Sequence, residues 1–199
     1  MIKVTFLEEF HQLTQYVAFL RGINVGGHNL VKMEDLRQLF LSLGFNNVKS
    51  YINSGNIIFE TSEIDLNAII KGIHRELNEL LDGDVKVFLR DMPQVEEITQ
   101  LNPFNDIESQ TTKLYVTFLS DEPSRKIRLP LNSPHMDVEV IFMTNREAFS
   151  LARRKNGRFG FPNKFIETRL GVSATTRSWT TVKRIAKDAT TNSTIHFIK

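Results

Sequence analysis

The stretch Tyr16–Glu60 decides how this chain folds: YVAFLRGINVGGHNLVKMEDLRQLFLSLGFNNVKSYINSGNIIFE. Its unbroken apolar run Tyr16–Leu20 predicts a central strand that is covered on both faces. Glycines interrupt the pattern, and Met33–Leu43 then repeats apolar residues at the spacing of one helix face, with Gly44 as a stop signal. The first part of the stretch therefore predicts a strand, a glycine-bearing loop and a helix.

Two further strands complete the stretch, joined by a tight turn. Asn47–Ile52 is moderately polar, Ile57–Glu60 is apolar, and the turn residues Asn53-Ser54-Gly55-Asn56 between them favour a hairpin. Residues 66–81 carry the clearest amphipathic helix pattern of the chain. Residues 85–90 then alternate as a half-buried strand does. The order from residue 16 is strand, helix, strand, strand, helix, strand.

This order is that of a ferredoxin-like α/β plait, which we assign to residues 1–91 with residues 1–15 as an N-terminal extension. In that topology the first and third strands lie in the middle of the sheet. We also expect the first strand–helix loop and the hairpin to lie at opposite ends of the sheet. Because the two central strands have no polar face, the open face of the sheet needs a cover, either the rest of the chain or a second copy.

Residues 92–199 predict a linker helix, a second and less regular plait and a C-terminal helix. The fold class is therefore α+β, with two ferredoxin-like units in one chain. The elements predicted after residue 91 are a helix at Gln94–Leu101, a strand at Lys113–Leu119, a short helix from Ser120 toward Arg128, strands at Asp137–Met143 and Glu147–Ala152, a loop at Arg153–Asn163, a helix at Lys164–Leu170, a strand at Val172–Thr176 and a last helix capped by Ser178. Short strands are also predicted at Ile2–Phe6 and Thr194–Lys199.

The composition indicates a cytoplasmic protein with a substantial core. Hydrophobic residues make up 41% of the chain, yet no apolar run is long enough for a transmembrane helix, so we expect no membrane partner. The N-terminus carries acidic residues where a signal peptide needs an apolar segment. The absence of cysteine excludes disulfides, thiolate nucleophiles and cysteine-based metal sites.

Positive charge is concentrated at the C-terminal end. Residues 144–199 contain 12 Lys and Arg against 3 Asp and Glu, whereas residues 92–143 contain 4 against 8 and residues 1–91 contain 9 against 12. Such a segment favours anionic partners, although on charge alone a solvated basic face balanced by the acidic segments is the simpler explanation.

The loop that follows the first strand groups several hydrogen-bond donors, among them Arg21, Asn24, Asn29 and Lys32. Glycines near a helix N-terminus let a phosphate approach free backbone N–H groups. The spacing matches neither a Walker A loop nor a dinucleotide fingerprint. The loop is therefore either an anion site or a tight connection whose glycines meet steric needs.

Two other segments add candidate ligand residues. Ser54 and Asn56 lie in the hairpin, where ordinary turn chemistry also explains them. Arg177 and Trp179 lie in a hydroxyl-rich segment, where they form either an anion and aromatic-ring site or a helix N-terminus with Trp179 in the core. A shared pocket requires the second half of the chain to bring these groups together.

The segment Arg153–Lys164 interleaves basic and aromatic residues, as loops that bind single-stranded nucleic acid do, although a solvated loop is the simpler interpretation.

For catalysis the sequence offers little. The five histidines show no metal-ligand spacing, and no catalytic triad motif appears. We assign no metal, no cofactor and no catalytic residue, and the sequence does not decide whether the protein is an enzyme.

Several motifs resemble an uncharacterised bacterial family, the domain of unknown function 1697. They are YVAFLRGINVGG, Met-x-x-Leu-Arg at Met33–Arg37, the segment Tyr51–Asn56, and the C-terminal segment Phe165–Val182. Ser178 stands where that family more often has asparagine, so a role that needs an amide there does not carry over. The resemblance implies two ferredoxin-like plaits in one chain and brings no established activity.

These observations lead to three hypotheses about function. The leading one is binding of a small anion, phosphate-bearing or nucleotide-like, in a crevice between the two plaits. The ligand residues predicted for it are Arg21, Asn24, Asn29, Lys32, Ser54, Asn56, Arg177 and Trp179. The alternatives are nucleic-acid binding through residues 153–187, and an enzyme acting on a phosphate-containing substrate with Arg21 and His28. The sequence leaves self-association open.

Overall fold

A computed structural model describes residues 13–81, 83–105, 107, 111–125 and 127–193, with side chains described as far as residue 188. The described residues form a mixed α+β fold of five helices and two antiparallel sheets, which confirms the predicted class. The predicted strands at Ile2–Phe6 and Thr194–Lys199 lie outside the described residues. The elements of the first half are β1 (Thr14–Leu20), α1 (Met33–Ser42), β2 (Asn46–Ser50), β3 (Asn56–Thr61), α2 (Leu66–Leu80) and β4 (Val87–Asp91).

The first sheet has the strand order β2-β3-β1-β4, and all its pairs are antiparallel. The two apolar strands β1 and β3 therefore lie in the middle, as predicted. Helices α1 and α2 cover one face, because the stripe Ile69, Ile73 and Leu77 of α2 and the α1 residue Phe40 are buried there against alternate residues of the strands. Burial of this stripe is the main reason that α2 forms, since an isolated helix of this length is marginal.

The second half begins directly after β4, since Asp91 both ends that strand and caps the next helix. Its elements are α3 (Met92–Leu101), β5 (Thr112–Leu119), β6 (Leu131–Asn132), β7 (Val138–Met143), β8 (Glu147–Lys155), β9 (Arg158–Phe159), α4 (Pro162–Leu170), β10 (Ala174–Ser178) and α5 (Trp179–Ser193). The strand order is β10-β5-β8-β7-β6, and β9 pairs with β8. No helix in the described part of the chain is long and apolar enough to cross a membrane.

Two predictions for the second half are wrong. The described residues between 120 and 128 form no helix. This segment contains Pro123, which lacks a backbone N–H, and it is too short to be helical without a buried stripe. The predicted loop Arg153–Asn163 is partly extended, because β8 continues to Lys155 and turns back through Asn156 and Gly157 into β9.

The open face of the first sheet is covered by the second half of the same chain. One continuous core contains residues of β1, β3 and β4 together with residues of β5, β8, α3 and α5. At its centre the rings of Phe19 and Phe118, one from each sheet, stack with their centroids 4.0 Å apart. Both rings are fully buried. A second copy is therefore not needed to cover this face.

Candidate functional site

The strand–helix loop after β1 and the β2–β3 hairpin meet at the same end of the first sheet. The expectation that they lie at opposite ends is wrong, because β3 runs antiparallel to β1 and begins where β1 ends, with Phe19 opposite Asn56. The side-chain amide of Asn24 donates a hydrogen bond of 3.2 Å to the carbonyl of Asn53. Gly55 has a φ of +67°, and a Cβ there would lie 3.0 Å from side-chain atoms of Leu20 and Ile23. Only glycine fits this approach without strain.

Arg177 of β10 joins this end of the first sheet to the second sheet. Its Nε donates to Oδ1 of Asn56 at 2.5 Å, and Nη2 donates to the carbonyl oxygens of Leu20 at 2.7 Å and Ser54 at 3.2 Å. Its Nη1 donates within the second sheet to Oγ1 of Thr175 at 2.8 Å, and also to the Thr176 carbonyl at 3.0 Å. All five N–H groups of the guanidinium therefore have protein acceptors.

The charge of Arg177 is held in the core by dipoles rather than by a carboxylate. Burial lowers the pKa of the guanidinium to about 10, so it remains protonated at neutral pH. The guanidinium carbon lies 5.7 Å from the centroid of the Phe19 ring, which adds a cation–π contact. Asn56 is fully buried, and its amide donates to the Tyr51 carbonyl and to the Ser54 hydroxyl, both at 3.0 Å.

The structure thus brings three predicted ligand residues, Ser54, Asn56 and Arg177, into one network, but that network is closed. Trp179 is only 4% exposed and packs edge-on against Phe104, with the ring centroids 5.3 Å apart. It therefore belongs to the core between the sheets and offers no exposed stacking surface. The hydroxyl of Ser178 accepts from the Thr181 N–H at 3.2 Å, which confirms the predicted helix cap.

Arg21 lies close to this network in sequence but is directed elsewhere. Its two terminal nitrogens bind the two carboxylate oxygens of Glu167 on α4, with Nη2 to Oε2 at 3.0 Å. The Arg21 side chain is 39% exposed, and that of Glu167 is 19% exposed. Oε1 of Glu167 also accepts from the Ala174 N–H at 2.8 Å. Arg21 is therefore part of a second, partly exposed contact between the two halves.

The other predicted residues of the glycine loop hold the loop itself. The Asn24 side chain accepts from the Val31 N–H at 2.9 Å and donates to the Val31 carbonyl at 3.0 Å. Asn29 donates to the Gly22 carbonyl at 3.3 Å. Lys32 and His28 are exposed. These contacts tie the loop to itself and use the side-chain amides of Asn24 and Asn29.

A second buried arginine joins the halves at another place. Arg90 of β4 donates from Nε to Oε1 of Glu147 at 2.6 Å, and from Nη2 to the carbonyls of Leu119 and Arg146 at 3.1 and 3.0 Å. The side chains of Arg90 and Glu147 are 2% and 10% exposed. The other oxygen of Glu147 accepts from the hydroxyl of Thr144 in the β7–β8 turn. This is a buried ion pair between β4 and the start of β8.

The ion pair forms the floor of an open pocket of about 370 Å³. One wall is α3, the opposite wall is the β7–β8 turn, and the lining residues are Arg90, Gln94, Glu97, Ile98, Leu101, Thr144, Asn145, Arg146 and Glu147. Nη2 of Arg146 donates to the Ser120 carbonyl at 3.1 Å. Its Nε is buried and has no hydrogen-bond acceptor among the described residues. A buried N–H left in this state costs free energy unless a ligand or water satisfies it.

Two arginine charges lie close together at this pocket. Burial lowers the pKa of Arg90, Glu147 opposes that shift, and the nearby charge of Arg146 lowers the pKa further. Both carboxylate oxygens of Glu147 are already occupied by Arg90 and Thr144. The remaining carboxylate in the lining, Glu97, is on the exposed surface of α3. The lining therefore includes Arg146, whose Nε has no acceptor among the described residues, together with two carboxylates, Glu147 paired with Arg90 and the exposed Glu97.

No motif or spacing in the sequence singles out Arg90, Arg146 or Glu147. Arg90 lies on the strand face of Phe88, opposite the face of Val87 and Leu89 that packs against the helices, so alternation alone predicts an outward position for its charge. Its partner Glu147 is 57 residues away, so no local spacing connects them. The described residues contain no group of three or more His, Cys, Asp or Glu side chains that could hold a metal ion.

The structure of the conserved bacterial protein SP0830 from Streptococcus pneumoniae is similar to this chain, with a TM-score of 0.62. The two sequences are 21% identical, and the match covers 88% of this chain and 98% of that one. A likeness at this identity shows the fold alone. No curated protein matches the sequence significantly. A family model described as protein of unknown function, DUF1697, matches residues 13–149, and the C-terminal motif lies beyond that match. The chain therefore belongs to the family DUF1697.

Proposed function

We propose that this protein binds a small anion, phosphate-bearing or nucleotide-like, in the pocket between α3 and the β7–β8 turn. The position differs from the crevice between two units that the sequence predicted, because both walls belong to the second half and only Arg90 comes from the first. The residues also differ from those selected from the sequence. Arg146 replaces Arg21 and Arg177 as the principal donor. Those two guanidinium groups are held by Glu167 and by the hairpin, respectively.

The observation that carries the proposal is the buried Nε of Arg146 without an acceptor. A guanidinium that offers a free N–H is a strong donor to phosphate or carboxylate oxygen. Gln94 and Asn145 also line the pocket, and their side-chain amides are neutral donors. The apolar side chains of Ile98 and Leu101 complete a wall suited to the carbon part of a metabolite.

The size of the pocket supports a small ligand. A volume of about 370 Å³ lies at the lower end of the range usual for ligand sites. Inorganic phosphate or the phosphate group and sugar of a mononucleotide fit such a volume, whereas a dinucleotide does not. The rim charge of Glu97 disfavours ligands with several negative charges unless they bring a counterion.

The test is to measure the binding of inorganic phosphate, pyrophosphate and nucleoside monophosphates by thermal shift and by titration calorimetry. Loss of a charge-assisted hydrogen bond in Arg146→Ala should weaken binding roughly tenfold or more. Arg21→Ala is the matched control, because it removes an arginine that also joins the two halves but lies outside the pocket lining. If Arg146→Ala still bound the anion and Arg21→Ala did not, the anion site would lie at the glycine loop after β1 and not in this pocket.

A second variant should strengthen anion binding, whereas Arg146→Ala should weaken it. Glu97→Gln removes the rim charge while keeping the side-chain shape, so anion affinity should rise a few-fold at low salt. Weaker binding in this variant, or no stabilisation of the wild type by any of these anions, would contradict the proposal.

We also propose that each sheet belongs to a ferredoxin-like unit, with a boundary after residue 91. The support is that β2-β3-β1-β4 and β7-β8-β5-β10 place the first and third main strands of each half in the middle. The second unit departs from the pattern, since no helix lies between β5 and β7 in its described residues. Because the two halves share a core, we expect a fragment of residues 1–91 not to fold alone, which circular dichroism of the fragment would check. A location in the cytoplasm is part of this proposal.

A further inference from the structure

A two-stranded ribbon projects from the second sheet at the far end of β8. The sheet pairings of β8 end at Ala152 with β7 and at Arg153 with β5. Beyond them, Arg154 and Lys155 pair only with β9, through the turn Asn156-Gly157 at φ values of 49° and 78°. The ribbon is thus anchored in the sheet and free of other strands at its tip.

The ribbon and the chain that follows it are basic throughout. Residues 151–166 contain Arg153, Arg154, Lys155, Arg158 and Lys164 and no Asp or Glu. Arg153 forms an ion pair with Glu139 at 2.6 Å. In the described part of the chain, no ion pair involves Lys155, Arg158 or Lys164, and all three are exposed. A cluster of exposed, unpaired cations attracts a polyanion.

Aromatic rings lie among these cations in two different states. Phe159 is half-buried, and Nζ of Lys113 lies 4.6 Å and Cζ of Arg154 lies 5.8 Å from its ring centroid. Phe161 is 59% exposed, and its ring is held edge-on against Tyr115 at 5.5 Å with an interplanar angle of 86°. An exposed, oriented ring is a surface on which a base can stack.

A shallow cleft of about 420 Å³ continues this surface across the sheet. Its lining includes Lys113 and Tyr115, which already contact Phe159 and Phe161, and the hydroxyl-bearing Ser178 and Thr180 of β10 and α5. Cations, an exposed ring and hydroxyl donors are therefore contiguous. Nonspecific electrostatic attraction to a polyanion would require only the cations, so the ring and the hydroxyl groups point to a more specific ligand.

We propose that this surface binds single-stranded nucleic acid, with phosphates on Lys113, Lys155, Arg158 and Lys164 and a base stacked on Phe161. Single strands are favoured over duplexes, since unstacked bases are needed to reach the ring. The surface lies at the opposite end of β8 from Glu147, roughly 25–30 Å away for a strand of this length. The two proposed sites are therefore independent, and either can fail without the other.

The test is fluorescence anisotropy of the full chain with labelled single-stranded RNA and DNA of about ten nucleotides at several salt concentrations. The logarithm of the binding constant should fall linearly with the logarithm of the salt concentration. Lys155→Ala with Arg158→Ala should lower that slope by roughly 1.4, about 0.7 for each phosphate contact. Phe161→Ala should weaken binding about 5- to 100-fold and leave the slope unchanged.

The matched control is the double variant Lys183→Ala with Arg184→Ala, which removes the same charge from α5 outside this surface. It should bind like the wild type. The proposal is overturned by absence of binding at low salt, by equal or tighter binding of the duplex, or by Phe161→Ala binding unchanged. Acidic peptides or anionic vesicles that bind while oligonucleotides do not would overturn it too. Arg146→Ala should have no effect here, which separates this result from the anion pocket.

Discussion

Two buried arginines join the halves of this molecule in reciprocal directions. Arg177 reaches from the second sheet to the first, and Arg90 reaches from the first sheet to the second. Arg177 binds neutral acceptors only, mostly backbone carbonyls, whereas Arg90 has the carboxylate of Glu147. The first junction is closed around its arginine. The second leaves a pocket with an unused donor beside it.

The two junctions differ in the balance of donors and acceptors, and the proposed anion site depends on that difference. At Arg177, chain segments from both halves supply an acceptor for every N–H. At the second junction, Arg90 and Arg146 share the available carboxylate and carbonyls, and one buried N–H is left over. Four measurements test this difference between the junctions, and the strongest effect is expected at Arg177 itself.

Arg177→Ala should lower the free energy of unfolding by about 3–5 kcal/mol, because buried acceptors in both halves lose a charged donor. Arg177→Lys should recover only part of the loss, since an ammonium has three donors where the guanidinium has five. Urea unfolding followed by circular dichroism gives both values. A loss below about 1 kcal/mol in Arg177→Ala would show that Arg177 does not stabilise the contact between the two halves.

Arg90→Ala should cost about 3 kcal/mol, chiefly because it leaves Glu147 buried without its partner. The double variant Arg90→Met with Glu147→Leu should be less damaging than Arg90→Ala, since neither charge then remains. No such rescue exists at the other junction, because the carbonyl acceptors of Arg177 cannot be removed by substitution. Equal losses in the single and double variants would contradict this distinction.

Arg21→Ala should change stability by less than about 1 kcal/mol, although its ion pair with Glu167 also connects the halves. Partial exposure of both side chains lets water replace the lost contact. Thermal unfolding at low and high salt measures the effect, which should shrink as salt increases. A loss as large as that of Arg177→Ala would mean that exposure does not separate the two contacts.

The smallest effect concerns pH. Burial lowers the pKa of Arg177 in the folded state to about 10, below the ordinary value for a guanidinium. The unfolded state therefore binds more protons only above about pH 10, where stability should rise with pH. Between pH 6 and 9 the guanidinium is charged in both states, so the stability difference between wild type and Arg177→Ala should be constant. If this stability difference changed markedly with pH between 6 and 9, a group other than the Arg177 guanidinium would be responsible for the pH dependence.

The elements of the first half could be predicted closely, because its strands and helices have clear apolar periods and its turns have turn residues. The second half was less predictable. Its β8–β9 ribbon has no apolar alternation, and its extended form depends on strand pairing rather than on composition. The proposed site was missed for a related reason. Arg90, Arg146 and Glu147 have no shared motif, and they meet only because two sheets face each other.

The sequence by itself determined the α+β class, the two apolar central strands and the presence of donor-rich segments, since these depend on local periodicity and residue type. The tertiary structure decided which donors are used up and which remain free. Whether Arg177 binds the hairpin or a ligand depends on acceptors more than 100 residues away, as the separations of 157 and 121 residues to Leu20 and Asn56 show. Burial and hydrogen-bond satisfaction are properties of the folded whole, so no local pattern encodes them.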